Sequence, residues 1–162
     1  MINSRLDILI RKNKGKKLLD TYKSMFYLAG FNDDNVRYVE LEKADKLVAR
    51  VKEVFQDIKQ EFETLPSESI YQDSKLLMSI LASFNDSYCY IFSDDFNLCG
   101  MYQTHIKAAV EHCLNVAKLG YSNTCFIVDQ DFKYSCTVNY YAEGEPSLRH
   151  KFDIHLKLSP SH

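Results

Sequence analysis

The chain has 162 residues, 46% hydrophobic and 26% charged, the length and composition of one globular domain with enough apolar content for a proper core. No run approaches the ~20 apolar residues of a membrane span, and Asp7, Arg11 and Lys12 interrupt the start of the chain, so neither a membrane anchor nor a secretory leader is expected. The net charge of −2 is unevenly spread: residues 1–37 hold eight Lys/Arg against four Asp, while the remainder is acidic. An acidic body favours a basic partner over nucleic acid.

The first half reads as helices. Segments 4–12 and 16–29 carry Leu6, Ile8, Leu9 and Ile10, then Leu18, Leu19, Tyr22, Met25, Phe26 and Leu28, with a break predicted at Lys14-Gly15-Lys16. Gly30 caps the second segment, and Asn32-Asp33-Asp34-Asn35 reads as a turn. The clearest helix is 41–64, where Leu47, Val51, Val54, Phe55, Ile58 and Phe62 form one stripe, ended by Pro66. A shorter helix is predicted over 70–84.

Near residue 86 the texture turns to β. Tyr88 to Phe92 reads as a strand, Asp94-Asp95 as a turn, and Phe96 to Tyr102 as a return strand. Thr104 is placed to cap a helix over 105–119, which Gly120 stops. Strands follow at 124–128 and 133–141, joined by a turn at Asp129-Gln130-Asp131, and 151–158 alternates cleanly between apolar and polar residues. Tyr90 to Leu98 and Phe126 to Tyr134 share one pattern, which suggests two hairpins with the same turn chemistry. The expected fold is α+β in a single domain, 1–162: N-terminal helices (1–85) packed on a mainly antiparallel sheet (86–158), with one helix inserted between two β-hairpins.

Catalytic and metal signatures are missing. The five cysteines form no Cys-x2-Cys pair and read as buried thiols in a reducing compartment. His105 and His112 share a helix face without the partners a zinc site needs. Single glycines exclude phosphate-cradling loops, and Asp129-Gln130-Asp131 lacks the register of a calcium loop. No cofactor and no metal are expected. Two minor readings are a nuclease-like acid/base set at His150 and His155, with Lys151 and Asp153, and phosphate contact by the basic run Arg11 to Lys17. More in keeping with the composition is protein recognition. Eleven tyrosines are available, and exposed tyrosine is a favoured interface residue. Candidate contacts are Asp94, Asp95, Asp129, Asp131, Tyr141, Glu143 and Glu145; if the two hairpin turns project from one sheet edge, they form a single negative rim.

Across 86–158, the segments Tyr90 to Tyr102, Asn123 to Tyr141 and His150 to Leu158, with the helix between the first two, resemble the small cytosolic immunity proteins of bacterial polymorphic toxin systems, especially contact-dependent growth inhibition. The resemblance implies a cytoplasmic, non-enzymatic protein that binds a cognate toxin domain and blocks its active site. Many such toxins are basic nucleases, which an acidic surface complements.

Overall fold

A computed structural model describes residues 5–55, 75, 79, 81, 86–142 and 150–159, with only the backbone described at 142 and 150–153. In chain order the elements are α1 (Arg5–Ala29), β1 (Val36–Val39), α2 (Leu41–Phe55), β2 (Tyr88–Phe92), α3 (Phe96–Cys99), β3 (Met101–His105), α4 (Ile106–Leu119), β4 (Thr124–Asp129), β5 (Tyr134–Ala142) and β6 (His150–Leu158). The six strands form one sheet in the order β1-β3-β2-β4-β5-β6, antiparallel at every pairing. The chain is α+β, and α4 sits between the β2–β3 and β4–β5 hairpins.

Strand alternation sends side chains to two faces. One face carries Cys89, Ile91, Tyr102, Cys125, Ile127, Cys136 and Val138, and α1 and α4 close over it with Tyr22, Phe26, Val110, Cys113 and Leu114. The opposite face carries Val39, Tyr90, Phe92, Met101 and Val128 beneath Ala44 and Phe55 of α2. The N-terminal helices therefore pack on the sheet as expected, α1 on one face and α2 on the other. The expected single helical block, 1–85, also supplies an edge strand, β1.

Three local expectations need correction. The break at Gly15 does not occur: α1 runs continuously from Arg5 to Ala29, and Gly15 is buried inside it. A Cβ there would stand 2.3 Å from the Leu98 carbonyl oxygen, so this glycine permits helix α1 to touch α3. Second, Phe96 to Tyr102 is not one strand. Phe96–Cys99 forms a single helical turn, closed by the Gly100 amide on the Phe96 carbonyl at 2.8 Å, before β3 begins. Third, the cap of α4 is His105, whose Nδ1 accepts from the Lys107 amide at 3.2 Å. Thr104 instead lies in β3 and its hydroxyl donates to the Asn35 carbonyl at 2.6 Å.

Other expectations hold. Gly30, at φ +117°, ends α1 with the Phe31 amide donating to the Phe26 carbonyl at 3.1 Å. The Phe26 and Phe31 rings meet 5.8 Å apart, which supplies the apolar contact that this type of helix ending favours. The α2 stripe is present up to Phe55, and Gly120 closes α4. The continuation to 64 and most of the helix expected over 70–84 lie outside the described residues; within the latter, Lys75 and Ser79 are helical.

Candidate functional site

The direction of each strand decides where the acidic turns go. Phe92 pairs with Phe126 and Cys89 with Asp129, so β2 and β4 run in opposite directions. The connection after β2, with Asp94 and Asp95, therefore stands at one end of the sheet, beside the start of β4. The β4–β5 turn, with Asp129 and Asp131, stands at the other end. The expected single rim is split in two.

Asp129 is not a surface group at all. It is 1% exposed, and its Oδ2 accepts from the amides of Asp131 at 3.0 Å and Lys133 at 3.1 Å. This is a side chain replacing backbone partners inside a turn. Asp131 is exposed at the same end, with its carboxylate 4.0 Å from Lys133. Tyr141, near the end of β5, is exposed and belongs to the Asp94/Asp95 end, since Thr124 pairs with Asn139. Glu143 and Glu145 lie outside the described residues.

The Asp94/Asp95 end holds a feature that sequence reading does not single out. Leu18, Thr21, Tyr22 and Met25 of α1, Ser93 and Asp95, and Leu119 and Tyr121 enclose a groove of about 470 Å³. Its floor is fixed by hydrogen bonds. The Tyr22 hydroxyl donates to the Gly100 carbonyl at 3.1 Å and accepts from the Ser93 amide at 3.3 Å, while Ser93 Oγ donates to the Thr124 carbonyl at 3.0 Å. Burial pushes the Tyr22 phenol well above its ordinary pKa, so it remains a neutral donor. Asp94 accepts from the Ser122 amide at 2.9 Å, which holds the loop carrying Tyr121 against the turn.

The rim is apolar and open to solvent. Leu18 and Leu119 are exposed, and Tyr121 is 96% exposed. Among the described residues neither Asp94 nor Asp95 has an ion-pair partner. The chemistry offered is thus an aliphatic slot, a projecting aromatic ring and two carboxylates without an ion-pair partner among the described residues. Such a surface suits a partner that inserts an apolar side chain next to a lysine or arginine. The signal available in the sequence was Leu119-Gly120-Tyr121, two large apolar residues around a helix stop, where polar residues are the norm.

The other candidate groups are placed elsewhere. Positions 150 and 155 have opposite parity in β6 and so belong to opposite faces of the sheet. The side chains of His150, Lys151 and Asp153 lie outside the described residues. His112 is not on a solvated face but packs edge-on against Phe31, with ring centroids 5.0 Å apart. Among the described residues no three His, Cys, Asp or Glu side chains are grouped to hold a metal ion. No helix among them is long and apolar enough to cross a membrane.

Within the basic run, Arg11 faces inward rather than into a solvated loop. Its Nε donates to Asp7 at 3.0 Å, and its terminal nitrogens bind both Asp45 oxygens and the Asn97 carbonyl, joining α1 to α2 and α3. The bond to Asp45 is the main cause that raises its already high pKa. Compared with protein-family models, curated proteins and solved structures, the chain matches none.

Proposed function

We propose that this chain is a non-enzymatic binding protein whose partner docks at the Asp94/Asp95 end, and that the partner is a basic toxin domain which it neutralises in the cytoplasm as an immunity protein. The observation that carries the binding role is the groove with a hydrogen-bonded floor and an exposed apolar rim beside two aspartates that form no ion pair among the described residues. A rigid floor limits the ordering cost of association, and a projecting tyrosine offers contact area at low entropy cost. The acidic pair would steer a basic partner toward the groove. The toxin assignment rests on the resemblance of residues 86–158. Tyr141 is exposed and available as a contact at this end, whereas the buried Asp129 is not.

The test is co-expression with a toxin domain encoded immediately upstream, followed by affinity measurement. Growth rescue and a stable complex are expected. Tyr121→Ala and Leu119→Asp should each weaken binding by about 30-fold, the effect of losing a ~2 kcal/mol interface anchor. Asp131→Ala, at the opposite end, should leave affinity unchanged. Absence of both rescue and complex would refute the toxin assignment, and wild-type affinity in both groove variants would move the interface elsewhere.

A further inference from the structure

The outward face of the first half of α1 is separate from that groove, and its residues follow a pattern of their own. At about 100° per residue, Gly15, Tyr22, Phe26 and Ala29 define the line facing the core. Leu6, Leu9 and Ile10 lie on the opposite side, 65%, 55% and 45% exposed. Arg5 and Lys16 flank this aliphatic patch on one side and Lys14 on the other, with Lys17 two turns beyond Ile10 and three beyond Leu6; all four are exposed. None of the four forms an ion pair among the described residues, whereas Arg11 is turned inward and Lys12 lies 3.9 Å from Glu40. The acids of this half-helix are Asp7, which pairs with Arg11, and Asp20, one turn past Lys16.

We propose that this face of α1 docks on an anionic bilayer surface. The helix would lie in the plane of the interface, with Leu6, Leu9 and Ile10 entering the boundary between headgroups and acyl chains and the four cations on the lipid anions. Charge and chemistry together select this occupant. A second copy would set four cations against four. Nucleic acid would engage the lysines but leave three large aliphatic side chains in water. Peripheral docking departs from the expectation that no membrane takes part, yet needs no spanning helix. It is independent of the toxin reading, since it uses none of the groove residues.

The full chain is sedimented with vesicles of phosphatidylcholine alone and with vesicles containing about 30% phosphatidylglycerol, at low and physiological salt. Binding to the anionic vesicles only, weakening with salt, is expected. Leu6→Asp/Ile10→Asp and Lys14→Glu/Lys17→Glu should each reduce the bound fraction at least tenfold, as expected when apolar insertion and charge are both needed. Both pairs are solvent-exposed, so circular dichroism should show a retained fold. The chain has no tryptophan, and in a Leu9→Trp variant the indole emission should shift to the blue on the anionic vesicles. No partition into anionic vesicles overturns the proposal. So does full binding by the Leu6→Asp/Ile10→Asp variant, or binding that single-stranded RNA abolishes without any blue shift, since either marks general polyanion contact.

Discussion

Raising the pH from 8 to 10 under reducing conditions should remove most of the stability of this protein. Cys89, Cys125 and Cys136 are buried on adjacent strands, and burial pushes each thiol well above its ordinary pKa. Asp129 adds to the effect at Cys89, and neighbouring thiols add to it at Cys125 and Cys136. Cys99 is pushed up to about 11, first by burial and then by Asp95. In the folded state these thiols stay protonated, while in the unfolded chain they ionise above about pH 8.5. Above that pH the unfolded state binds fewer protons, so stability falls as pH rises and is fully present only below it. Each thiol contributes a loss of about 2 kcal/mol by pH 10, or about 8 kcal/mol for the four, set against a usual total of 5–15 kcal/mol. The buried phenols of Tyr22, Tyr102 and Tyr134, also raised by burial, extend the decline at still higher pH.

Urea midpoints at pH 7, 8, 9 and 10 measure this directly. A profile flat to pH 10 would contradict the buried-thiol account. Cys136→Ala should reduce the alkaline slope by about 1.4 kcal/mol per pH unit, one proton's worth, at the cost of a small cavity. All five cysteines are buried, so a thiol reagent at pH 7.5 should label none of them until the protein unfolds.

What the sequence discloses about this fold is what acts over a few residues. The stripe from Leu47 to Phe55 marks α2, the run from Ile106 to Ala117 marks α4, and alternation marks β6, because each pattern repeats within one element. The short pieces are not legible. Val36–Val39 has too few residues to show a period, and Phe96-Asn97-Leu98-Cys99 alternates like a strand although Ser93, Asp95 and Gly100 bound it as one helical turn. The candidate site was half visible for the same reason. Asp94-Asp95 and Asp129-Asp131 are readable as turns, but only the antiparallel β2:β4 pairing sends them to opposite ends of the sheet. The groove needs Leu18, Ser93 and Leu119 from three distant segments, a conjunction that no local pattern announces.

Gly15 is the sharpest case of a local rule overridden by a distant contact, and its replacement should be costly. In an exposed helix interior, Gly→Ala gains about 1 kcal/mol. Here the new methyl would lie 2.3 Å from the Leu98 carbonyl oxygen and 3.1 Å from its carbon. The oxygen cannot retreat easily, because α3 is closed by Phe96 to Ser93 at 3.0 Å, Leu98 to Asp95 at 2.9 Å and Cys99 to Asp95 at 2.8 Å. Helix α1 must therefore move out by roughly 1 Å to restore an ordinary van der Waals separation. That displacement strains the Arg11 bridge to Asp45 and Asn97 and opens the packing of Tyr22 and Phe26 beneath it. A net loss of about 1–3 kcal/mol is expected for Gly15→Ala, lowering Tm by roughly 5 °C, and more for Gly15→Val. Asn13→Ala, two residues away on the exposed side, should instead gain a few tenths of a kcal/mol from helix propensity. Thermal melts of the two variants in one buffer decide the matter: shifts of opposite sign follow from the α1–α3 contact, and a stabilised Gly15→Ala would mean that the contact does not exist in solution. Because Leu18 and Tyr22 lie one and two turns further along the same helix, an outward shift of α1 also widens the groove, so Gly15→Ala should weaken partner binding even at temperatures where it remains folded.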